Sequence, residues 1–310
     1  MKYYLSGVLG FSIWGTFALV LKPLSSFSAF DILMHRIIFA TFCIVFACFL
    51  FRRKQTLASI QYLKTTSKQE RRKLAINVFT SAIMLGLNWF LFIYVMNAVS
   101  VNATSLAYLI CPIITTVLAS IFLNEKLNKL QWFSVLLSLT SCLILAYGHF
   151  TDLFYSMVIA LTYAIYLVLQ KKNTFPIDKF LGLTIHIVVS CILLLPILTV
   201  IDTNVPKTNT FYGLIVIIAV GYTIIPLFLN IYSLKGLDSS IVGTLLYLNP
   251  IISFLLAVFY YNEPITAPQI VAFSMIFLAV VIFNIAYLYT QKAKNVLQNE
   301  NAHPKFHKHL

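Results

Sequence analysis

The sequence predicts an all-α membrane protein of ten transmembrane helices arranged as two inverted five-helix repeats. Three observations carry this. Of 310 residues, 60% are hydrophobic and only 10% charged, whereas a soluble domain carries about 25% charged residues. The apolar residues gather in runs of about 20, the length that crosses a bilayer as a helix. A 32-residue stretch, 94–125, also recurs without a gap 138 residues later, at 232–263. Tyr94, Pro112-Ile113-Ile114, Leu118-Ala119 and Asn124-Glu125 are matched by Tyr232, Pro250-Ile251-Ile252, Leu256-Ala257 and Asn262-Glu263, eight identities in all.

Ten spans follow in order: 3–21, 31–51, 75–97, 100–123, 130–148, 152–170, 180–201, 210–234, 238–261 and 267–289. The first follows Lys2 without a small-residue cleavage pattern and is expected to be retained as a span rather than removed as a signal peptide. The longest connection, 52–73, carries eight Lys and Arg residues and is read as a solvated cytoplasmic loop, because cationic loops resist translocation. Alternation from that point places both termini in the cytoplasm. Of the 22 Lys and Arg, 19 then fall inside, Lys22 and Lys207 outside, and Arg36 within a span. The net charge of +13 is thus a topology signal, and no nucleic acid is implied.

Five spans per half is an odd number, so the second copy enters the membrane upside down. The halves are 1–148 and 152–289, followed by a basic cytoplasmic tail, 290–310. Inverted repeats of this kind build transporters with a site near the midplane. The first helices extend the match. Gly7, Gly10, Trp14, Phe17 and Leu21 align with Ser156, Ile159, Tyr163, Tyr166 and Gln170, each set on one helical face.

Within span 4, Val101, Ser105, Tyr108, Pro112 and Thr115 form one stripe, echoed in span 9 by Ser239, Gly243, Tyr247, Pro250 and Phe254. Proline removes a backbone donor and bends a helix, and small residues let helices approach. Pro112 and Pro250 are therefore candidate gating kinks beside a central cavity lined by Tyr108 and Tyr247. The other reading is a packing kink with both tyrosines bonded internally. Trp14, Tyr163 and Tyr166 combine apolar rings with polar edges, suited to an organic substrate or to plain helix packing. Asn88, Trp89 and Asn249 form polar-aromatic points at membrane depth, where amides bond to substrate or to another helix.

Ionisable groups inside spans are rare and informative. Arg36 lies roughly 8 Å into span 2 at about 1.5 Å per residue. Its charge persists, so it snorkels outward or recognises an anion. His35 is a candidate for proton coupling or a hydrogen-bonded structural residue, and His186 reads as structural. Glu125 and Glu263, at membrane edges, are gating or coupling candidates expected to cap the free amides of the following helix. All five cysteines sit in apolar runs and read as packing residues. No phosphate-binding loop, zinc motif or nucleophile–base set is present, so neither a cofactor nor an enzymatic activity is expected. His303, His307 and His309 read as solvated. The expected partners are a small-molecule substrate and the lipid bilayer, with protons open as a coupling ion and either a monomer or a homodimer as the unit.

Phe30–Phe42, Asn88–Val135 and the early Ile13-Trp14-Gly15 resemble RarD-type permeases of the EamA branch of the drug/metabolite transporter superfamily. The resemblance covers nearly all ten spans. It rests most specifically on His35-Arg36, Asn88-Trp89 and the stretch from Pro112 to Glu125. It implies the ten-helix inverted-repeat fold, a central substrate cavity and the bacterial inner membrane. One position departs. The family commonly carries Asn before the span 4 proline, and here that residue is Cys111, while span 9 keeps Asn249.

Overall fold

The computed structural model describes residues 1–99, 101–196, 208–262 and 264–302. Each expected span coincides with an apolar helix. These are α1 (Lys2–Leu24), α2 (Ala29–Phe51), α3 (Lys68–Met96), α4 (Ala103–Phe122), α5 (Lys129–Ala146), α6 (Phe150–Lys172), α7 (Lys179–Leu194), α8 (Asn209–Leu234), α9 (Ser239–Phe259) and α10 (Ala267–Thr290). Nine are long and apolar enough to cross a membrane, and α7 is shorter within the described residues.

Local chemistry sets the ends. Ser28, Ser67, Asp178 and Thr208 accept backbone amides at the starts of α2, α3, α7 and α8. Asn128 and Gln131 form a reciprocal capping box at α5. Asn124 (φ 54°) and Asn262 (φ 52°) both adopt the left-handed conformation after α4 and α9, which Asn tolerates better than branched residues. The repeat is thus preserved at the level of backbone angles.

The basic segment 52–73 is mostly helical rather than a loop. Arg53–Thr65 forms a surface helix and α3 already begins at Lys68. Polar helix formers at its start and the Ser67 cap explain this. The surface helix is fastened to the mouth of α7. Ser59 accepts the Asp178 amide at 3.2 Å, and Arg52 approaches the Asp178 carboxylate at 3.8 Å.

α1 packs on α8 and α9 as α6 packs on α3 and α4. α2 packs on α8 as α7 packs on α3, while α5 meets α10, α4 meets α9 and α2 meets α7. Exchanging α1 with α6, α2 with α7, α3 with α8, α4 with α9 and α5 with α10 maps this set of pairings onto itself. Glycines permit the closest approaches. A Cβ at Gly15 would lie 2.6 Å from Ile252, and one at Gly10 would lie 3.3 Å from the Pro226 carbonyl. Serine hydroxyls tie the pairs together: Ser6 donates to Leu229 O (2.8 Å), Ser141 to Ala272 O (2.7 Å), Ser156 to Ala103 O (2.6 Å) and Ser190 to Ala82 O (2.9 Å). Phe42, Phe46 and Phe49 line one exposed face of α2, as a helix in contact with lipid requires.

Candidate functional site

The site begins with a proline. Pro226 has no amide to offer the Tyr222 carbonyl four residues earlier. The ladder widens into a π-turn at Val220–Ile224. The Trp14 Nε1–H donates to the freed Tyr222 oxygen at 2.7 Å, which orients the indole at the junction of α1, α6 and α8.

From Trp14 an aromatic and polar chain runs through the bundle. Its ring meets Tyr163 edge-on at 6.0 Å, and Tyr163 stacks beside Tyr166 at 5.8 Å. Asn230 donates its amide N–H to the Tyr163 hydroxyl at 2.8 Å, leaving its own carbonyl oxygen buried and unpartnered. Tyr166 is fully buried, meets His186 at 5.8 Å, and keeps an unpartnered hydroxyl. Both His186 ring nitrogens are likewise buried without partners. Tyr163 lies within electrostatic reach of Tyr108 and Cys111, and Tyr108 within electrostatic reach of Arg36. The Arg36 guanidinium sits 5.2 Å over the Trp89 ring, and Phe92 packs on Tyr108 at 5.4 Å. Trp14, Arg36, Trp89, Tyr108, Tyr163 and Tyr166 therefore converge, drawn from both halves of the chain.

The remaining candidates lie elsewhere. Asn88 donates to Ile159 O at 2.9 Å and Thr162 Oγ1 at 3.1 Å, tying α3 to α6. Asn249 is buried at the α1–α9 crossing, where Ser253 reaches both its Oδ1 (3.5 Å) and Gly15 O (3.0 Å). Tyr247 lines a small crevice between α4, α5, α9 and α10, with Pro112, Thr116 and Ser138. At the 138-residue offset the counterpart of Tyr108 is Leu246, so the two tyrosines occupy different faces. His35 packs against Phe211 (5.3 Å) and Tyr212 (6.0 Å) and contacts Asp31 O through Nδ1 at 2.8 Å. It belongs to the aromatic cluster with α8, apart from the Arg36 corner.

Pro112 lies inside unbroken α4 and Pro250 in the second half of α9. Glu125 caps a helix, but not the following one. Asn128 serves α5, while the Glu125 carboxylate accepts Ser239 N (2.6 Å), Ser240 N (3.0 Å) and the Ser240 hydroxyl at the start of α9. The reason is geometric: the left-handed turn at Asn124 sends the chain across to the other half. Glu263 lies outside the described residues, as do His303, His307 and His309.

Comparison with known proteins gives this arrangement a family. The model of the EamA-like transporter family matches twice, over residues 1–147 and 151–285. The chain belongs to the EamA-like transporter family. It is 29% identical to the uncharacterized transporter YojE of Bacillus subtilis over 92% of this chain and 94% of that one. It is 28% identical to Protein RarD of Escherichia coli over 93% and 95%. A solved crystal structure superposes with a TM-score of 0.71 over 90% of this chain and 95% of its own, at 13% identity, and so supports the fold alone. This is a multi-pass membrane protein of RarD type, and those relatives point to a permease rather than an enzyme.

Two of the residues around this candidate site escape sequence reading. Asn230 and Phe92 lie in apolar runs with no repeated partner. An amide at membrane depth was the available signal for Asn230. Cys111, read from the sequence as a packing residue and a departure from the family, is 2% exposed, with its Sγ 3.8 Å from Thr115 Oγ1, and lies within electrostatic reach of Tyr108 and Tyr163.

Proposed function

We propose that this chain is a secondary permease that moves a small organic metabolite or amphipathic drug-like compound across the bacterial cytoplasmic membrane by alternating access, in the direction of export. The two halves, 1–148 and 152–289, are inverted repeats that rock about the shared aromatic group, and both termini are cytoplasmic. One observation carries this reading. The converging side chains come from α1, α2, α3 and α4 of one half and α6 and α8 of the other. A relative motion of the halves would therefore remodel the site, as alternating access requires.

Vesicles reconstituted with the protein and preloaded with a metabolite mixture test it. Accelerated release of at least one compound over protein-free vesicles is expected, and no acceleration in either gradient direction overturns it. Facilitated diffusion is the second reading, favoured by the placement of Asp31 and Asp152 in the first turns of their helices rather than mid-span. Collapsing the pH gradient during transport separates the two: unchanged accumulation excludes proton drive.

A further inference from the structure

We infer that the Arg36 corner makes the permease selective for organic monoanions, a carboxylate carried on a flat apolar body. The inference rests on the permease reading above and names the substrate class of that site.

Arg36 is the one Lys or Arg that the sequence places within a span. Its Nε is buried without a hydrogen-bond partner, and among the described residues it makes no ion pair, in contrast to Arg52 with Asp178. A guanidinium held at membrane depth needs a counter-charge or water, and a carboxylate matches its fork with two parallel hydrogen bonds. Its surroundings are neutral: the face of Trp89, the phenol of Tyr108 and, beyond them, Cys111 and Tyr163. A single fixed positive charge offsets one negative charge. A phosphate dianion would keep an uncompensated charge in a region of low dielectric.

Cationic compounds are disfavoured on the same geometry. Arg36 already occupies the Trp89 face that a substrate ammonium would seek, and it repels like charge. The rest of the group sets the body of the ligand. Trp14 meets Tyr163 edge-on at 6.0 Å and Tyr163 meets Tyr166 at 5.8 Å, a contiguous aromatic group against whose outer faces and edges a planar ring can pack.

The test uses full-length protein in vesicles with three probes of one shape, indole-3-acetate, tryptamine and indole-3-ethanol, which are anionic, cationic and neutral. Saturable counterflow of the acid at least tenfold faster than either other probe is expected. Arg36→Ala should abolish it and Arg36→Lys should restore part of it, because a point charge remains without the fork. Equal transport of tryptamine or indole-3-ethanol, or undiminished acid transport by Arg36→Ala, overturns the inference. If Arg36→Ala does not fold, Trp89→Phe and the selectivity order of the wild type decide. The metabolite mixture is run in parallel. If it moves while no acid does, the anion inference falls and the permease stands. If nothing moves, the permease reading itself fails.

Discussion

α4 and α9 carry the same Pro-Ile-Ile, yet one is straight through and the other is not. The α4 helix runs unbroken from Ala103 to Phe122 across Pro112. The α9 helix stops at Leu245 and resumes at Leu248, with Leu246 N, Tyr247 N and Asn249 N making tighter three-residue bonds to Gly243, Thr244 and Leu246 oxygens at 3.1 Å. Proline alone therefore does not break these helices. What differs is the surroundings. The first turn of α9 is held by the Glu125 carboxylate, and its second half is held to α1 through Ser253 and Gly15. Gly243 stands where α4 has Ser105 and is a weaker helix former. Pro226 in α8 gives a third outcome, a π-turn whose free carbonyl is taken by Trp14. The lesson is that a proline supplies a weak point and tertiary anchors decide whether it opens.

The strongest way to break this comparison is to remove an anchor. Glu125→Ala deletes two charge-assisted backbone contacts and a hydroxyl contact, and should cost about 2–3 kcal/mol. Hydrogen exchange should rise at Ser239–Leu245 while α4 keeps its protection. If the first turn of α9 stays protected, the interruption is intrinsic to its sequence and the anchor argument fails.

The next effect is smaller and tests the crossing of the two helices. A Cβ at Gly243 would lie 2.9 Å from Thr115 Cγ2 and 3.0 Å from its Cβ. Threonine in a helix has few rotamers to retreat into. Gly243→Ala gains helix propensity of up to about 1 kcal/mol but overpacks by about 1–3 kcal/mol, so a net loss of about 1 kcal/mol is expected in chemical unfolding. Thr115→Ser removes the offending methyl, and the double variant should recover most of the loss. Independent, additive effects would show that the α4–α9 contact is looser than described.

Much of this was legible in the sequence, for identifiable reasons. Length and apolar periodicity dictate spans because the bilayer admits little else, and all ten fall on apolar helices. The Asn124/Asn262 match carries over into matching positive φ angles. Aromatic residues on the repeated faces of α1 and α6, Trp14, Tyr163 and Tyr166, meet where the faces meet. Rotational detail was less legible. Tyr108 and Tyr247 look equivalent in a stripe, but a one-residue offset is 100° around a helix, and it sends Tyr247 to the α5 and α10 side. The Glu125 contact spans 114 residues and lies beyond any local pattern. Helicity in 52–73 was masked by its charge, since a basic run fits a surface helix as well as a loop.

Pro226 offers a test worth about 1 kcal/mol. Trp14→Phe leaves the Tyr222 carbonyl without its donor and should lower stability by about that amount. Pro226→Ala supplies a backbone amide able to bond Tyr222 in an ordinary helix, at the expense of the π-turn. In the double variant the Trp14 loss should shrink, giving a measurable coupling in thermal unfolding. An undiminished loss would mean that the π-turn is held by packing rather than by the missing amide.

The smallest effect is expected from making α4 more like α9. Cys111 and Thr115 stand at the offset positions of Asn249 and Ser253, and each pair is in contact, at 3.8 Å between Sγ and Oγ1 and at 3.5 Å between Oδ1 and Oγ. Cys111→Asn adds a buried amide, which is costly only if it stays unpaired. Thr115 Oγ1 already waits where Ser253 serves Asn249, so the variant should lose no more than about 0.5 kcal/mol. It should also leave α4 unbroken, because neither Glu125 nor Ser253 acts on that helix. A thermal midpoint near that of the parent, with unchanged hydrogen exchange around Pro112, is the expected result. A large loss would show that the core beside Tyr108 and Tyr163 admits no further polar group. A new exchange-prone point at Pro112 would show instead that the residue before the proline, rather than the distant anchor, selects which of the two helices opens.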